Sequence, residues 1–459
     1  MTTKNTEDKV PVAITIAGSD SSGGAGIQAD IKTFASLGVF GVTAVTAVTA
    51  QNTVGVFCIE RLKPEIVLEQ IKAVAEDIGI DAGKTGMLYS DEVIKTISEA
   101  VSEYRFPLVV DPVMVAKSRV PLLKPQALRT LKEYLLPKAT VVTPNKFEAE
   151  RLSGVKIRRL DDAENAAKRI SELGPRAVVV KGGHIHEKEA IDIVYYEGQF
   201  RRFQTPRLSS KTTHGTGCVF SAAITACLAR KMPLITAIEK AKEIVWLGIK
   251  YGLNIGKGHG PVNSIALFYR ESSRYQVLIN VDKAKNLLES SPEVSALVPE
   301  VGMNVAMAVP YAGNITEVAA IDGRLVKTFK GVKAAGNVKF GCSSHLAKYI
   351  LEVSKYDKRK TAAINLKFSE HILKILEDRG MVISFFDRKR EPQKIKIVEG
   401  KTIPWGVEKA IKRIGKVPDV IFHRGDVGKE PMIVVFGEQA YNLADLTVQL
   451  AKEIKNEYE

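Results

Sequence analysis

The first 270 or so residues alternate short apolar runs with longer amphipathic stretches. Val12 to Ala17, Val42 to Val48, Ala82 to Met87, Leu108 to Val110, Thr140 to Val142 and Ala177 to Lys181 are rich in β-branched and small apolar residues and predict strands. Between them, Pro64 to Ile78 and Asp161 to Leu173 repeat their apolar positions at helical spacing. This rhythm predicts an α/β fold: a mostly parallel sheet with helices on both faces. Ligands of such sheets bind outside the carboxyl ends of the strands. The Gly-rich and polar motifs of this half all sit at strand ends or helix starts.

The pattern changes around the Gly-rich run NIGKGHGP (Asn254 to Pro261) and the polar stretch Glu271 to Tyr275. We therefore expect a first domain over 1–272, a linker over 273–289 and a second domain over 290–459. In the latter, strand patterns at Asn304 to Val309, Ala362 to Leu366, Val382 to Phe386 and Met432 to Phe436 alternate with helical patterns at Ser344 to Val353 and Phe368 to Asp378. A second, smaller α/β domain follows from that alternation. No internal repeat or low-complexity segment interrupts it.

A length of 459 residues agrees with two cores, and 45% hydrophobic with 26% charged residues is ordinary globular composition. No uncharged apolar run reaches spanning length, and the opening MTTKNTEDKV lacks a signal-peptide core, so a membrane-spanning or secreted protein is not expected. Cys58, Cys218, Cys227 and Cys342 form no CxxC pair, which suggests a reducing, cytoplasmic setting without disulfides or structural zinc. The net charge of +14 is spread along the chain, with +5 in residues 286–459 and +9 before them. With no basic arm, it points to anionic metabolites and away from nucleic acid.

The strongest chemical signal is Lys211-Thr-Thr-His-Gly-Thr-Gly-Cys218, followed by the small-residue helix pattern Val219 to Ala229. A Gly-rich turn opening a helix offers unpaired amides and the positive helix end to phosphate oxygens. The competing reading is a tight turn capping a buried helix. Cys218 ends the turn, where a helix terminus would lower a thiol pKa and yield a thiolate able to take a proton from a hydroxyl; alternatively it is a small buried thiol, as Cys227 is expected to be. A second Gly-rich stretch, Ala17-Gly-Ser-Asp-Ser-Ser-Gly-Gly-Ala-Gly-Ile-Gln-Ala-Asp30, follows the first strand and enters the helix pattern Ile27 to Leu37. Its spacing does not fit a dinucleotide fingerprint. Its glycines instead let backbone approach a small flat substrate, with Asp30 and Gln51 offering polar contacts.

The ordered segments AGSDSSGGAGIQADIKTF, TAVTAQNTVGV, KTGMLYS, VVDPVMVAKS, TPNKFEAERL, VVVKGGH and THGTGCVFSAA resemble the ribokinase superfamily, specifically the hydroxymethylpyrimidine/phosphomethylpyrimidine kinases of thiamine biosynthesis, over about residues 10–268. The resemblance implies a ribokinase-like fold and two ATP- and magnesium-dependent phosphorylations of 4-amino-5-hydroxymethyl-2-methylpyrimidine, to the monophosphate and then the diphosphate. It places Gln51 on the pyrimidine edge, Asp30 near the hydroxymethyl group, Met87 on the ring and Gly18 in close backbone approach. Cys218 stands where sugar kinases of the superfamily carry an aspartate base, with Gly215 and Gly217 shaping the turn. Asp111, Asn145, Lys181 and Thr216 are implied on the phosphate and nucleotide side, and Glu148 in the magnesium shell through water. Related kinases are commonly homodimeric, so the same is expected here. A hydroxymethyl nucleophile must shed a proton, whereas a phosphomonoester oxygen is already anionic near neutrality. Cys218 is therefore expected to matter mainly for the first transfer, and the 215–218 cradle for both.

In the second domain, Asp322-Gly-Arg324, Gly341-Cys-Ser-Ser-His345, Asp387-Arg388 with Glu391-Pro392, Trp405 and Gly425-Asp-Val-Gly-Lys-Glu-Pro431 stand out. Ser343, Ser344 and His345 precede a helix, where amides and an imidazole could face a phosphate. Taken singly, a His there is more often a cap and Arg324 a solvated cation. Together these stretches resemble the archaeal-type thiamine-phosphate synthase domain over about residues 290–455. That resemblance implies coupling of the pyrimidine diphosphate with a thiazole phosphate, releasing pyrophosphate, with Arg324 and His345 at the leaving diphosphate. Asp426 or Glu430 is a candidate magnesium ligand, and Cys342 a packing residue. Two alternatives stand: a non-catalytic ligand-sensing second domain, and a pyridoxal or sugar kinase in the first.

Overall fold

Strand β1 (Val12–Asp20) is buried along nearly its whole length, and the first unit is arranged around it. In this computed structural model, residues 9–115, 122–183, 188–396, 398, 400–426 and 428–458 are described. Residues 1–8, Ala116 to Ser118 of VVDPVMVAKS, His184 of VVVKGGH and Val427 lie outside them. The chain divides into two units, Met1–Phe268 and Tyr269–Glu459.

The first unit's sheet runs β3-β2-β1-β4-β5-β6-β7-β8-β9, with β2 Phe40–Gln51, β3 Val56–Arg61, β4 Ala82–Thr85, β5 Leu108–Val110, β6 Val141–Val142, β7 Ala177–Val180, β8 Glu189–Tyr196 and β9 Gln199–Pro206. From β2 to β7 the pairing is parallel; β3, β8 and β9 join antiparallel. Successive side chains serve opposite cores, as strand geometry requires. Ile14, Ile16, Val110 and Val178 pack with Val67, Ile71, Ile94 and Ile97 on one face, while Val109, Val141 and Val179 meet Val219, Ala223 and Ile244 on the other. The helix Thr216–Ala229 is buried almost all round because it lies between the sheet and neighbouring helices, and its small residues allow that approach.

The hairpin β8–β9 turns through Glu197 and Gly198, both at positive φ (50° and 76°), the conformation a two-residue hairpin loop demands. Neither it nor β3 was expected. Both lie at the sheet's margins, where exposed alternation such as Phe200-Arg201-Arg202-Phe203 blurs the apolar signal.

The second unit has a seven-stranded sheet in the order β14-β11-β10-β15-β18-β17-β16, from β10 Val305–Ala308, β11 Val318–Ile321, β14 Val338–Phe340, β15 Ala362–Lys367, β16 Ile383–Phe385, β17 Val420–His423 and β18 Met432–Gly437. A separate hairpin pairs β12 (Leu325–Thr328) with β13 (Gly331–Ala334). Only β16 and β17 run parallel among the described pairs of the larger sheet. Val305 and Ile364 face one core, and Ala306 and Ala363 the other. The segment expected as a linker, 273–289, is largely the helix Arg274–Glu289. Val277, Val281, Ala284 and Leu288 recur at helical spacing and fill the second unit's core, which is why the chain is ordered there. No helix among the described residues is long and apolar enough to cross a membrane.

Candidate active sites

At the carboxyl ends of β1, β2, β4, β5, β6 and β7 lies a cavity of about 1020 Å³. Both Gly-rich stretches reach it. Gly215 caps the helix Thr216–Ala229 at φ 79°, and a Cβ there would stand 1.8 Å from the Gly24 carbonyl oxygen, so the two stretches clasp each other only because this residue has no side chain. Thr216, Gly217 and Cys218 form the helix's opening turn and line the cavity. Their amides precede the first intrahelical bond, from Val219 N–H to the Gly215 carbonyl, and are donors suited to phosphate oxygens. Thr216 Oγ1 donates to the Thr213 carbonyl at 2.8 Å, tightening the turn.

Around the turn, buried charges are paired. Lys181 Nζ lies 3.0 Å from Asp111 Oδ1, and both line the cavity beside Gly217. Burial disfavours the ammonium, but Asp111 and Glu148 outweigh it and hold the Lys181 pKa up. Asn145 and Glu148 form a reciprocal cap at the start of the helix Lys146–Ser153: Asn145 Oδ1 accepts from the Glu148 amide at 3.0 Å, and Glu148 Oε2 accepts from the Asn145 amide at 2.8 Å. Burial drives the Glu148 pKa to about 7, Lys181 opposing and Asp111 reinforcing it. Among the described residues no cluster of three or more His, Cys, Asp or Glu could hold a metal. The carboxylates of Asp111 and Glu148 on the wall of this cavity nevertheless fit magnesium, which keeps much of its water and shares substrate phosphates.

Two expectations need correction. Asp30 does not line the cavity. It is fully buried, accepting from Thr15 Oγ1 at 2.7 Å and paired with Lys84 Nζ at 3.0 Å, because it sits on the core-facing side of the helix Gly26–Ser36 with Ala29, Thr33 and Phe34. Lys84, which drew no notice in the sequence, reaches the cavity in its place. The Cys218 thiol is not lowered: burial pushes it up to about 11, with Asp30 and Asp111 adding to the rise and Lys84 opposing it. Loss of hydration outweighs the helix end.

Gly18, Gln51 and Met87 line the same cavity. A Cβ on Gly18 would lie 3.3 Å from Met87 Sδ, so the glycine leaves room for the thioether. Gln51 Nε2 stands 3.2 Å from His214 Nε2, which is 3.0 Å from Asp20 Oδ2. Burial would raise the Asp20 pKa, but bonds from His214 and Ser22 bring it below the usual carboxylate range. Asp20 and His214 both belong to the quoted motifs yet had been given no role. The signal available for Lys84 was a charge inside the buried run Ala82 to Thr85, which must find a partner.

In the second unit, Arg324 sits at φ 72° in the turn between β11 and β12, exposed, its guanidinium donating to the Val301 carbonyl. Val301 also lines a hollow of about 500 Å³ with Lys367, Phe368 and Glu430. His345 stands at the start of the helix Ser344–Val353, its ring 5.3 Å from that of Tyr349. Burial, then Arg324, Arg388, Lys348 and Lys429, lower the His345 pKa to about 4, so it is a neutral imidazole in a field of cations. The magnesium candidates are otherwise engaged. Asp426 pairs with Lys396 at 2.7 Å, and the Glu430 carboxylate accepts from the amides of Glu300 and Val301 at 2.8 and 3.1 Å. Cys342 is half-buried against the core and donates to the Ala320 carbonyl at 3.1 Å, as suits a packing residue.

A family model described as phosphomethylpyrimidine kinase matches residues 20–263, and one described as thiamine-phosphate synthase ThiN matches residues 280–449. The chain is 32% identical over 448 residues to the bifunctional thiamine biosynthesis protein ThiDN of Methanocaldococcus jannaschii, covering 97% of this chain and 99% of that protein. It is 47% identical over 262 residues to the hydroxymethylpyrimidine/phosphomethylpyrimidine kinase of Bacillus subtilis, covering 57% of this chain and 96% of the relative. Against the bifunctional protein ThiED of Geobacter sulfurreducens it is 49% identical over 253 residues, and spans only about half (52%) of that relative's length. Among solved structures, pyridoxal kinase of Bacillus subtilis with ADP aligns at TM-score 0.52 and 38% identity, covering 56% of this chain and 98% of that one. Pyridoxal kinase of Staphylococcus aureus with AMP-PCP and pyridoxal aligns at TM-score 0.53 and 37% identity, covering 56% and 94%.

Proposed function

Because this chain belongs to the phosphomethylpyrimidine kinase family and carries a ThiN-type thiamine-phosphate synthase domain behind its kinase domain, we propose that it makes thiamine phosphate in three steps. The first unit phosphorylates 4-amino-5-hydroxymethyl-2-methylpyrimidine twice from ATP, and the second couples the resulting diphosphate to a thiazole phosphate, releasing pyrophosphate. The observation that carries the kinase reading is the single cavity that joins the 215–218 amides, Lys181 with Asp111, and Glu148 to a wall of Gly18, Gln51 and Met87.

In that cavity the amides of Thr216, Gly217 and Cys218 bind the phosphoryl oxygens where charge spreads in a loose transition state. Glu148 and Asp111 would hold magnesium through water, and the ion would neutralise charge on the transferring phosphates. Lys181 supports the same charge from the nucleotide side. Gln51 reads the pyrimidine edge, and Met87 packs on the ring. Cys218 accepts the hydroxymethyl proton in the first transfer. Its thiolate is scarce at neutral pH, and Lys84 beside it is the cation that favours it. In the second unit Arg324 meets the leaving diphosphate as negative charge builds on its oxygen, while His345 contributes a neutral imidazole.

The likeness to two pyridoxal kinases at TM-scores above 0.5 favours pyridoxal as a second kinase substrate to test. Purified protein given ATP, magnesium and either hydroxymethylpyrimidine or pyridoxal, with products separated by chromatography, decides between them. The proposal expects the pyrimidine mono- and diphosphates in succession; pyridoxal phosphate alone would refute it.

A further inference from the structure

Beyond Arg324 and His345, the second unit holds buried polar atoms that nothing in the described residues satisfies. His345 Nε2, Arg388 Nε, Glu391 Oε1 and His423 Nε2 are all buried without a hydrogen-bond partner. His345, Arg388 and His423 act on one another and are brought together by the sheet. β16 and β17 run parallel with Phe385 opposite Phe422, so the chain leaves both strands at the same end. There the Phe386 amide donates to the Phe422 carbonyl at 3.3 Å, and the Phe386 ring lies 5.2 Å from His423 and 6.0 Å from Trp405. The helix bearing His345 covers the same layer through Tyr349, whose ring is 6.1 Å from Phe436 of β18.

His423 is only 2% exposed. A neutral imidazole has one donor and one acceptor nitrogen. Burial, Arg388 and His345 hold His423 down to about 3, so it is neutral at physiological pH. Its Nδ1 accepts the Gly425 amide at 3.3 Å, which leaves the proton on Nε2, and that N–H is the unpartnered atom. Leaving a buried donor unmet costs about 1–3 kcal/mol. Two such donors, Arg388 Nε–H and His423 Nε2–H, next to a His345 that itself feels Arg324, Lys348 and Lys429, suit an acceptor that arrives with negative charge.

We propose that His423 is a diphosphate-binding residue of the second unit, a neutral donor locked in one tautomer that works with Arg388 on the oxygens of the pyrimidine diphosphate and of the departing pyrophosphate. The inference rests on the coupling reading above and assigns residues that reading does not use. With Nδ1 committed to Gly425, His423 holds the diphosphate and takes no proton from it.

The test is calorimetric titration of the full chain with inorganic pyrophosphate, the first unit's cavity being saturated with a non-hydrolysable ATP analogue. His423→Leu should weaken binding about tenfold to hundredfold, the range of a hydrogen bond to a charged group. His423→Gln, whose amide nitrogen replaces Nε2, should stay within about threefold of wild type, and His423→Asn, whose amide replaces Nδ1, should resemble the leucine variant. Should His423→Leu fail to fold, Arg388→Met and the Gln/Asn contrast carry the same question. Binding unchanged in His423→Leu and Arg388→Met, in a wild type that forms thiamine phosphate, would overturn this inference alone. A wild type that neither binds pyrophosphate nor forms thiamine phosphate would overturn the coupling reading and this inference with it.

Discussion

In the first unit, buried charges meet one another, Lys84 on Asp30 and Lys181 on Asp111, each at 3.0 Å. In the second, Arg388, His345 and His423 hold buried nitrogens with no hydrogen-bond partner among the described residues. The contrast follows the chemistry each unit is proposed to perform. A kinase cavity that must admit and release a triphosphate twice draws affinity from backbone amides, and its lysines are already partly neutralised by internal carboxylates. A site that stabilises a leaving diphosphate gains more from donors with no internal acceptor, because the anion that departs is the one that satisfies them.

The contrast can be broken most severely at Lys84. Lys84→Met leaves Asp30 buried without its cation and should lower stability by about 3–5 kcal/mol in denaturant unfolding of the first unit. His423→Leu removes a donor already unmet but frees the Gly425 amide that Nδ1 accepts, two effects of opposite sign, so it should shift stability of the second unit by no more than about 1 kcal/mol. Equal losses would mean that the second unit's unmet donor is held as firmly as the first unit's ion pair.

Next in size is Cys218. Cys218→Ala should slow the first phosphorylation by about a hundredfold, and the second, whose nucleophile is already an anion, by less than about tenfold. In the proposed first transfer the active form is the thiolate, and burial pushes the thiol up to about 11. The wild-type first transfer should therefore accelerate by about tenfold per pH unit across neutrality, a slope that vanishes in the alanine variant. Single-turnover assays on each pyrimidine substrate read both. Equal slowing of the two steps would remove Cys218 from proton transfer.

Smaller still is the magnesium effect. With Glu148 titrating at about 7, protonation competes with the metal below that pH. Magnesium affinity of the ATP-bound protein should fall by up to about tenfold for each unit of acidification below 7 and level off above it, and Glu148→Gln should be weaker throughout and free of that slope. Metal titrations at several pH values measure it.

The interior parallel strands were legible in the sequence because both of their faces are buried, so Ile14 and Ile16 stand in a near-continuous apolar run with Ala13 and Ala17. The margins β3, β8 and β9 were not, since Arg201 and Arg202 sit in an exposed strand whose hydrogen bonds leave no mark on composition. Motifs brought Gln51, Asp111, Lys181 and Cys218 to one cavity, but direction and solvation were hidden. Asp30 was misplaced because nothing local says which face of the helix Gly26–Ser36 is buried. The sign of the Cys218 shift was missed because a helix end is visible in sequence and desolvation is not. The orphaned His423 had no signal at all: it depends on the parallel register of β16 and β17 and on a neighbouring glycine amide.

The central claim, two distinct sites acting in succession within one chain, is tested most directly by the products of Arg324→Ala given hydroxymethylpyrimidine, thiazole phosphate, ATP and magnesium. The account predicts that wild type forms thiamine phosphate while this variant stops at the pyrimidine diphosphate, which accumulates. Thiamine phosphate formed by the variant at the wild-type rate, or no diphosphate from either protein, would contradict it.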